Sequence, residues 1–223
     1  MKKYIFISLI CFFAAAAQAQ MRAPQYPIKA GDGEIIANFD VGAPLLMQLD
    51  ELPGKVAVGN LHGDVALYQF YDLNCPYCRE AAADIDALVH SDAKLKLVFV
   101  PYAVLSVQSV RGAMVEVAVA KQLSPAQYLD FHKRIYASRG TIDGARVLGV
   151  AKHMGLDAQK LAAVANTQAT LDILRENATF GGQVGLAATP AYIIDGVAIV
   201  GHPGLKPLRT VVAAVRGCGK VVC

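Results

Sequence analysis

Two cysteines set two residues apart, in Cys75-Pro76-Tyr77-Cys78, are the part of this chain best equipped for chemistry. They stand where a strand-forming run, Val65 to Tyr71, gives way to a helical pattern. A cysteine at a helix amino terminus meets unpaired N–H groups and the positive end of the helix dipole, and both favour its thiolate. The second cysteine, one turn further in, shares that face and can close a disulfide or resolve a mixed one. The spacing therefore predicts a redox pair in which Cys75 attacks and Cys78 resolves, with Pro76 and Tyr77 tuning it. A static disulfide across so tight a turn fits poorly. Cys218 and Cys223 would complete four thiols, formally enough for a tetrahedral zinc site, but the long gap between the pairs and the strand-to-helix placement weigh against it. Neither a metal nor a bound cofactor is expected.

The elements that must position this pair can be read on both sides of it. Val65 to Tyr71, bounded by Gly63-Asp64 and Asp72-Leu73-Asn74, has the continuous apolar character of a strand buried on both faces. Pro76 suits the first turn of the helix that follows, where a missing N–H costs nothing. That helix should run to about His90, with Ala82, Ile85, Leu88 and Val89 inward, and Leu95 to Val100 should form a second buried strand. Together these make a βαβ unit with an expected right-handed crossover.

From Ser106 to about Phe180 the signals are helical only. Ser124-Pro125-Ala126-Gln127 is a capping box, Asp143 and Asp157 are further N-caps, and Gly155 and Gly181-Gly182 read as helix ends. Four or five short helices in one lobe are predicted. Strands return at Ala191–Ile194 and Val197–Val200 around the hairpin dipeptide Asp195-Gly196, and a helix from Leu205 to about Arg216 closes the chain. Ahead of all this, residues 20–33 read as a mobile tail, 34–40 as a short strand, and 45–52 as a short helix or extended cover.

The 223 residues are 55% hydrophobic, enough for a real core. Lys2 and Lys3, an apolar run from Tyr4 to about Ala17 and the small-x-small site Ala17-Gln18-Ala19 follow the order of an export signal cleaved after Ala19. The run is shorter than the roughly 20 residues that span a bilayer. Removing it takes two lysines from the 21 basic residues, against 18 acidic ones. So even a balance argues against nucleic acid as a partner. Export also removes Cys11 and leaves four cysteines in a compartment where disulfides persist. Cys218 and Cys223 then read as a staple of the carboxyl tail, with a second redox pair as the alternative. The five histidines are scattered without ligand spacing; His202 follows the last strand near Pro203. No phosphate-binding glycine loop and no hydrolase elbow is present.

The run from about Asp64 to Arg216 resembles the DsbA-like family of periplasmic thioredoxin-fold proteins, in which a helical domain interrupts the fold after its βαβ half. The resemblance implies an α/β thioredoxin fold from 64–103 and 184–217, an all-helical insertion at 104–183, an amino-terminal extension at 20–63 behind the 1–19 signal, and a tail at 218–223. Thr189-Pro190 matches the family's cis-proline loop, which implies a cis Pro190 facing the Cys75 sulfur. The extended backbone at Thr189 would then pair with a substrate peptide.

Details divide the family's branches. Oxidases of DsbA type carry a buried carboxylate six residues before the first cysteine, where this chain has Gln69. Asp72, Tyr77 and Thr189 are similar to the isomerase and reductase branch, DsbG and DsbC, although Asp72 also suits a helix cap region. The helical lobe is closer to the DsbA and ScsC-like branches. The resemblance implies disulfide exchange with unfolded or partly folded exported proteins, first of all as a DsbA-like dithiol oxidase served by a membrane redox partner, with a DsbG- or DsbC-like isomerase or reductase as the alternative. A peptide-binding chaperone module that has kept the fold is the reading from another class.

Overall fold

The computed structural model describes residues 23–223. The expected signal segment and its cleavage site therefore lie outside the described residues. Six strands form one sheet in the order β1-β6-β5-β3-β4-β2, where β1 is Asn38–Asp40, β2 Val56–Gly59, β3 Val65–Tyr71, β4 Leu95–Pro101, β5 Ala191–Ile194 and β6 Val197–Val200. At its centre β3 runs parallel to β4 and antiparallel to β5. Between β3 and β4 runs α2, Pro76–Ser91, so the sequence-predicted βαβ unit is in place with its strand start and helix start on the expected residues.

Burial explains why β3 carries no polar alternation. Leu67, Tyr71, Cys75 and Cys78 belong to one core with Ile85 and Leu88 of α2, and with Leu208, Val211 and Val212 of α8, Leu205–Cys218. Tyr68 and Phe70 face the opposite core with Phe180 and Val184 of α7, Gln168–Val184, and Leu49 of α1, Ala43–Leu49. A strand covered by helices on both sides can be apolar at every position.

Five helices join β4 to β5: α3 (Val107–Ala120), α4 (Pro125–Ala137), α5 (Gly144–His153), α6 (Ala158–Ala165) and α7. The Ser124–Gln127 capping box forms reciprocally, and Asp143 and Asp157 accept N–H bonds as N-caps. The Asp195-Gly196 turn has φ of 47° and 76°, the positive pair that a two-residue hairpin turn requires.

Three expectations are corrected. Gly181-Gly182 does not end a helix: α7 continues to Val184 and stops at left-handed Gly185. Gly181 is small for another reason, since a Cβ there would lie 2.4 Å from the Tyr102 ring. Residues 23–33 are no mobile tail. Ile28 is buried, Tyr26 N and Ile36 O bond the side chain of the fully buried Asn38, and Ala30 N donates to Glu34 O. Strand β2 was not anticipated at all; it pairs antiparallel with β4. Residues before Asp64 thus supply both edge strands of the sheet rather than a separate extension.

Candidate active site

Cys75 is the N-cap of α2, in extended conformation, with Pro76 opening the helix. The strand-to-helix junction that places it is fastened from several directions. Asp72, fully buried at the end of β3, accepts hydrogen bonds from the Ser109 hydroxyl (2.6 Å), Asn74 N (2.8 Å), Val104 N (2.9 Å) and Leu105 N (2.9 Å). Its own carbonyl accepts from Cys75 N and from the Tyr136 hydroxyl of α4. The Asn74 side chain exchanges two bonds with the backbone of Ile142. Arg79, next to Cys78, reaches the carbonyls of Tyr136 and Ser138 at the carboxyl end of α4, where a cation is favoured. The helical lobe therefore grips the catalytic loop.

None of Asn74, Ser109, Arg79 and Tyr136 stood out in the sequence, because each acts through a long-range hydrogen bond that has no local signature. Asp72 did stand out, but its side chain ties the loop after β4 rather than capping α2. Its replacement by asparagine would turn an amide N–H₂ toward donors. Asp72→Asn should cost about 1–2 kcal/mol, read as a lower urea midpoint of the reduced protein at unchanged slope.

Cys75 and Cys78 are free thiols, 4% and 1% exposed. The Thr189–Pro190 peptide is cis, and the Cys75 thiol donates to the Thr189 carbonyl at 3.0 Å. The loop before β5 thus comes to the attacking sulfur across 114 residues of sequence. The Cys75 thiol is lowered from 9.0 to about 6. The hydrogen bond from the Cys78 thiol contributes most; burial opposes it, and the Thr189 side chain and the N–H groups of Cys78 and Tyr77 add to the lowering. The Cys78 thiol moves the other way: burial first, then its bond to Cys75 and the charge there, push it far above the ordinary range. One sulfur is an anion near neutrality and its neighbour holds a proton. That asymmetry suits a nucleophile and a resolving thiol.

A profile of the family described as thioredoxin matches residues 51–214. The chain belongs to the thioredoxin family. Among solved structures it is similar to a thioredoxin-like oxidoreductase from Silicibacter pomeroyi, with 27% identity and a TM-score of 0.68 over 75% of this chain and 96% of that one. The thiol-disulfide exchange protein alpha-DsbA2 from Wolbachia pipientis has 23% identity and a TM-score of 0.68, over 77% and 94% of the two chains. The catalytic domain of Proteus mirabilis ScsC has 20% identity and 0.66, over 76% and 94%. No curated protein matches the chain. The Wolbachia and Proteus structures show likeness of fold, and the family profile with the paired free thiols makes the chain a thioredoxin-like thiol-disulfide oxidoreductase.

Cys218 and Cys223 form a disulfide at the end of α8, closing the tail over Val221, which is buried. Two of the four sulfurs are thereby bonded to each other, which removes the four-thiol zinc reading. Gln69, at the position of the family's carboxylate, is buried on the cysteine side of β3 and its Oε1 has no hydrogen-bond partner among the described residues. His202 turns out not to be a bystander: its Nδ1 lies 2.8 Å from the Tyr192 hydroxyl and its Nε2 2.9 Å from Asp84 Oδ2.

Proposed function

We propose that the protein is a periplasmic dithiol oxidase of DsbA type, which passes a Cys75–Cys78 disulfide to exported polypeptides and is itself reoxidised by a membrane partner. The observation that carries this reading is the free Cys75–Cys78 pair at the start of α2 under the cis Thr189–Pro190 loop, with the Cys75 thiol lowered to about 6. A sulfur that is stable as an anion is a good leaving group, so a disulfide that ends in it is readily reduced and oxidises its substrate. The corresponding thiol stands at roughly 7 in thioredoxin, a reductant, and at about 3.5 in DsbA, so a value of about 6 supports an activated thiolate, and the oxidising direction rests on the features that follow. The leader Lys2 to Ala19 supports export. Exposed Tyr77, Val104, Leu105 and Val107 offer apolar surface for an unfolded chain around the loop that Asp72 holds. Residues 23–63 fold onto the protein's own sheet, which sits better with an oxidase than with an isomerase built on an amino-terminal dimerisation domain.

Equilibration of the Cys75–Cys78 couple against glutathione tests the direction. A potential well above the roughly −270 mV of thioredoxin, toward the about −120 to −180 mV of DsbA and protein disulfide isomerase, is expected. A value at or below that of thioredoxin would make the protein a reductase instead.

A further inference from the structure

Disulfide exchange at this site has an unsolved proton problem, and the solution below rests on the exchange reading just given. Cys78 must lose a proton to displace a mixed disulfide, and must gain one when a substrate thiolate opens the Cys75–Cys78 bond. It is 1% exposed and its thiol is held strongly protonated. Gln69 stands where a carboxylate would serve, and an amide does not titrate. Some other group must carry the proton through the core.

The structure assigns that task to three hydrogen-bonded side chains, Tyr192, His202 and Asp84, which lead from the core that holds the cysteine pair toward solvent. Tyr192 lies on β5 directly across from Gln69 and belongs to the same core as Cys75 and Cys78. It is fully buried, and the charges that act on its hydroxyl are those of Cys78, Asp84 and Cys75. The hydroxyl lies 2.8 Å from His202 Nδ1, and His202 Nε2 lies 2.9 Å from Asp84 Oδ2. The same carboxylate oxygen accepts from Leu205 N at the amino terminus of α8, where a negative charge is favoured. This fixes the imidazole with Nε2–H toward Asp84 and Nδ1 open to a proton from Tyr192, and the carboxylate stabilises the imidazolium that results. Exposure rises along the chain, from buried Tyr192 to a His202 side chain at 14% and an Asp84 side chain at 36%.

The steps balance in both directions. When Cys78 resolves a mixed disulfide, its proton passes to the Tyr192 oxygen as the Tyr192 proton passes to His202. The Cys78 thiolate then forms the bond to Cys75 Sγ, the bond from Cys75 to the substrate sulfur breaks, and that sulfur leaves with the electron pair. When a substrate thiolate attacks Cys75 Sγ instead, Cys78 leaves with the electron pair and takes the proton back along the same path.

Among the described residues, the other ionisable groups facing the pair offer no exit. Asp72 is fully buried with its oxygens taken by four donors. Tyr136 of α4 feels the charges of Cys78, Glu116 and Asp72, but its hydroxyl donates to the Asp72 carbonyl. Beyond it, Glu116 on α3 and His132 on α4 are 0% and 3% exposed.

The test mixes the reduced full-length protein rapidly with oxidised glutathione and follows two steps from pH 5.5 to 9: attack by Cys75, then displacement by Cys78. In the wild type the second step should depend less steeply on pH than in either variant. In Tyr192→Phe and His202→Ala it should fall by about a hundredfold at pH 6.5, recover steeply as pH rises, and in His202→Ala be restored by added imidazole. The first step and the pH profile of Cys75 alkylation should match the wild type in both, which also reports that they are folded. An unchanged second step in both variants would overturn the path. So would a slowing that is equal at every pH and indifferent to imidazole, because that is the mark of a structural role. A wild type that forms no mixed disulfide at Cys75 would instead sink the exchange reading, and the path with it.

Discussion

Replacing Cys75 with serine should abolish disulfide exchange, with a loss of at least about 10³-fold in the reduction of insulin or the oxidation of a dithiol peptide. A hydroxyl is not an anion near neutrality and forms no bond to sulfur that a neighbouring thiol can reopen. The fold should survive, since serine is close in size and can still donate to the Thr189 carbonyl that Cys75 meets at 3.0 Å. Cys78→Ser should behave differently. Its Cys75 still attacks, but nothing displaces the product, so substrates accumulate as mixed disulfides that a mass spectrum resolves. If Cys75→Ser binds unfolded protein as the wild type does while exchange is lost, binding and chemistry are separable. If wild type and Cys75→Ser support the same slow background exchange, the protein is a peptide-binding module and the thiols are incidental to it.

How much of this was legible in the sequence depends on the range of each interaction. The βαβ unit, the helix caps and the Asp195-Gly196 hairpin are local: a few adjacent residues dictate their backbone, and their positions fell where the pattern placed them. The cysteine pair was legible for the same reason, since its chemistry follows from a spacing within one helical turn. Thr189-Pro190 came from family resemblance and not from pattern. What joins it to Cys75 is packing across 114 residues. Edge strand β2 escaped because four residues, Val56–Gly59, are too few to show a period, and only their ladder with β4 makes them a strand. Gly181 misled because glycine has two uses: the sequence shows the missing Cβ, but only the Tyr102 ring shows why it is missing. Tyr192, His202 and Asp84 were invisible together, because His202 and Asp84 are 118 residues apart in sequence.

Cys75 should be alkylated with a half-maximal rate near pH 6, where an unstructured thiol needs about pH 9. The sign follows from the direction of the shift: a lowered thiol is already anionic at pH 7 and begins to protonate only as pH falls through 6. Thiolate fraction alone overstates the contrast, because a less basic sulfur is also a weaker nucleophile, with a Brønsted slope of about 0.4–0.5. At pH 7 the two effects nearly cancel and leave Cys75 only ~4-fold faster than a free peptide thiol. At pH 5 the free thiol has almost no anion left, and the advantage grows to ~40-fold. Acid is therefore the condition in which to look. The same shift links reactivity to stability. The reduced protein gains from its thiolate, fully above the unfolded value of 9.0 and progressively less as pH falls through 6, by about 1 kcal/mol at pH 7 once solvent screening is allowed for. The disulfide form has no such anion and gains nothing. Urea unfolding should thus find the reduced form losing stability relative to the oxidised form between pH 8 and pH 5, and the couple becoming a weaker oxidant over the same interval once the ordinary proton dependence of dithiol reduction is subtracted. A Cys75 that reacts at pH 5 no faster than an unfolded peptide would remove the anion, and with it the reason for the disulfide to be oxidising.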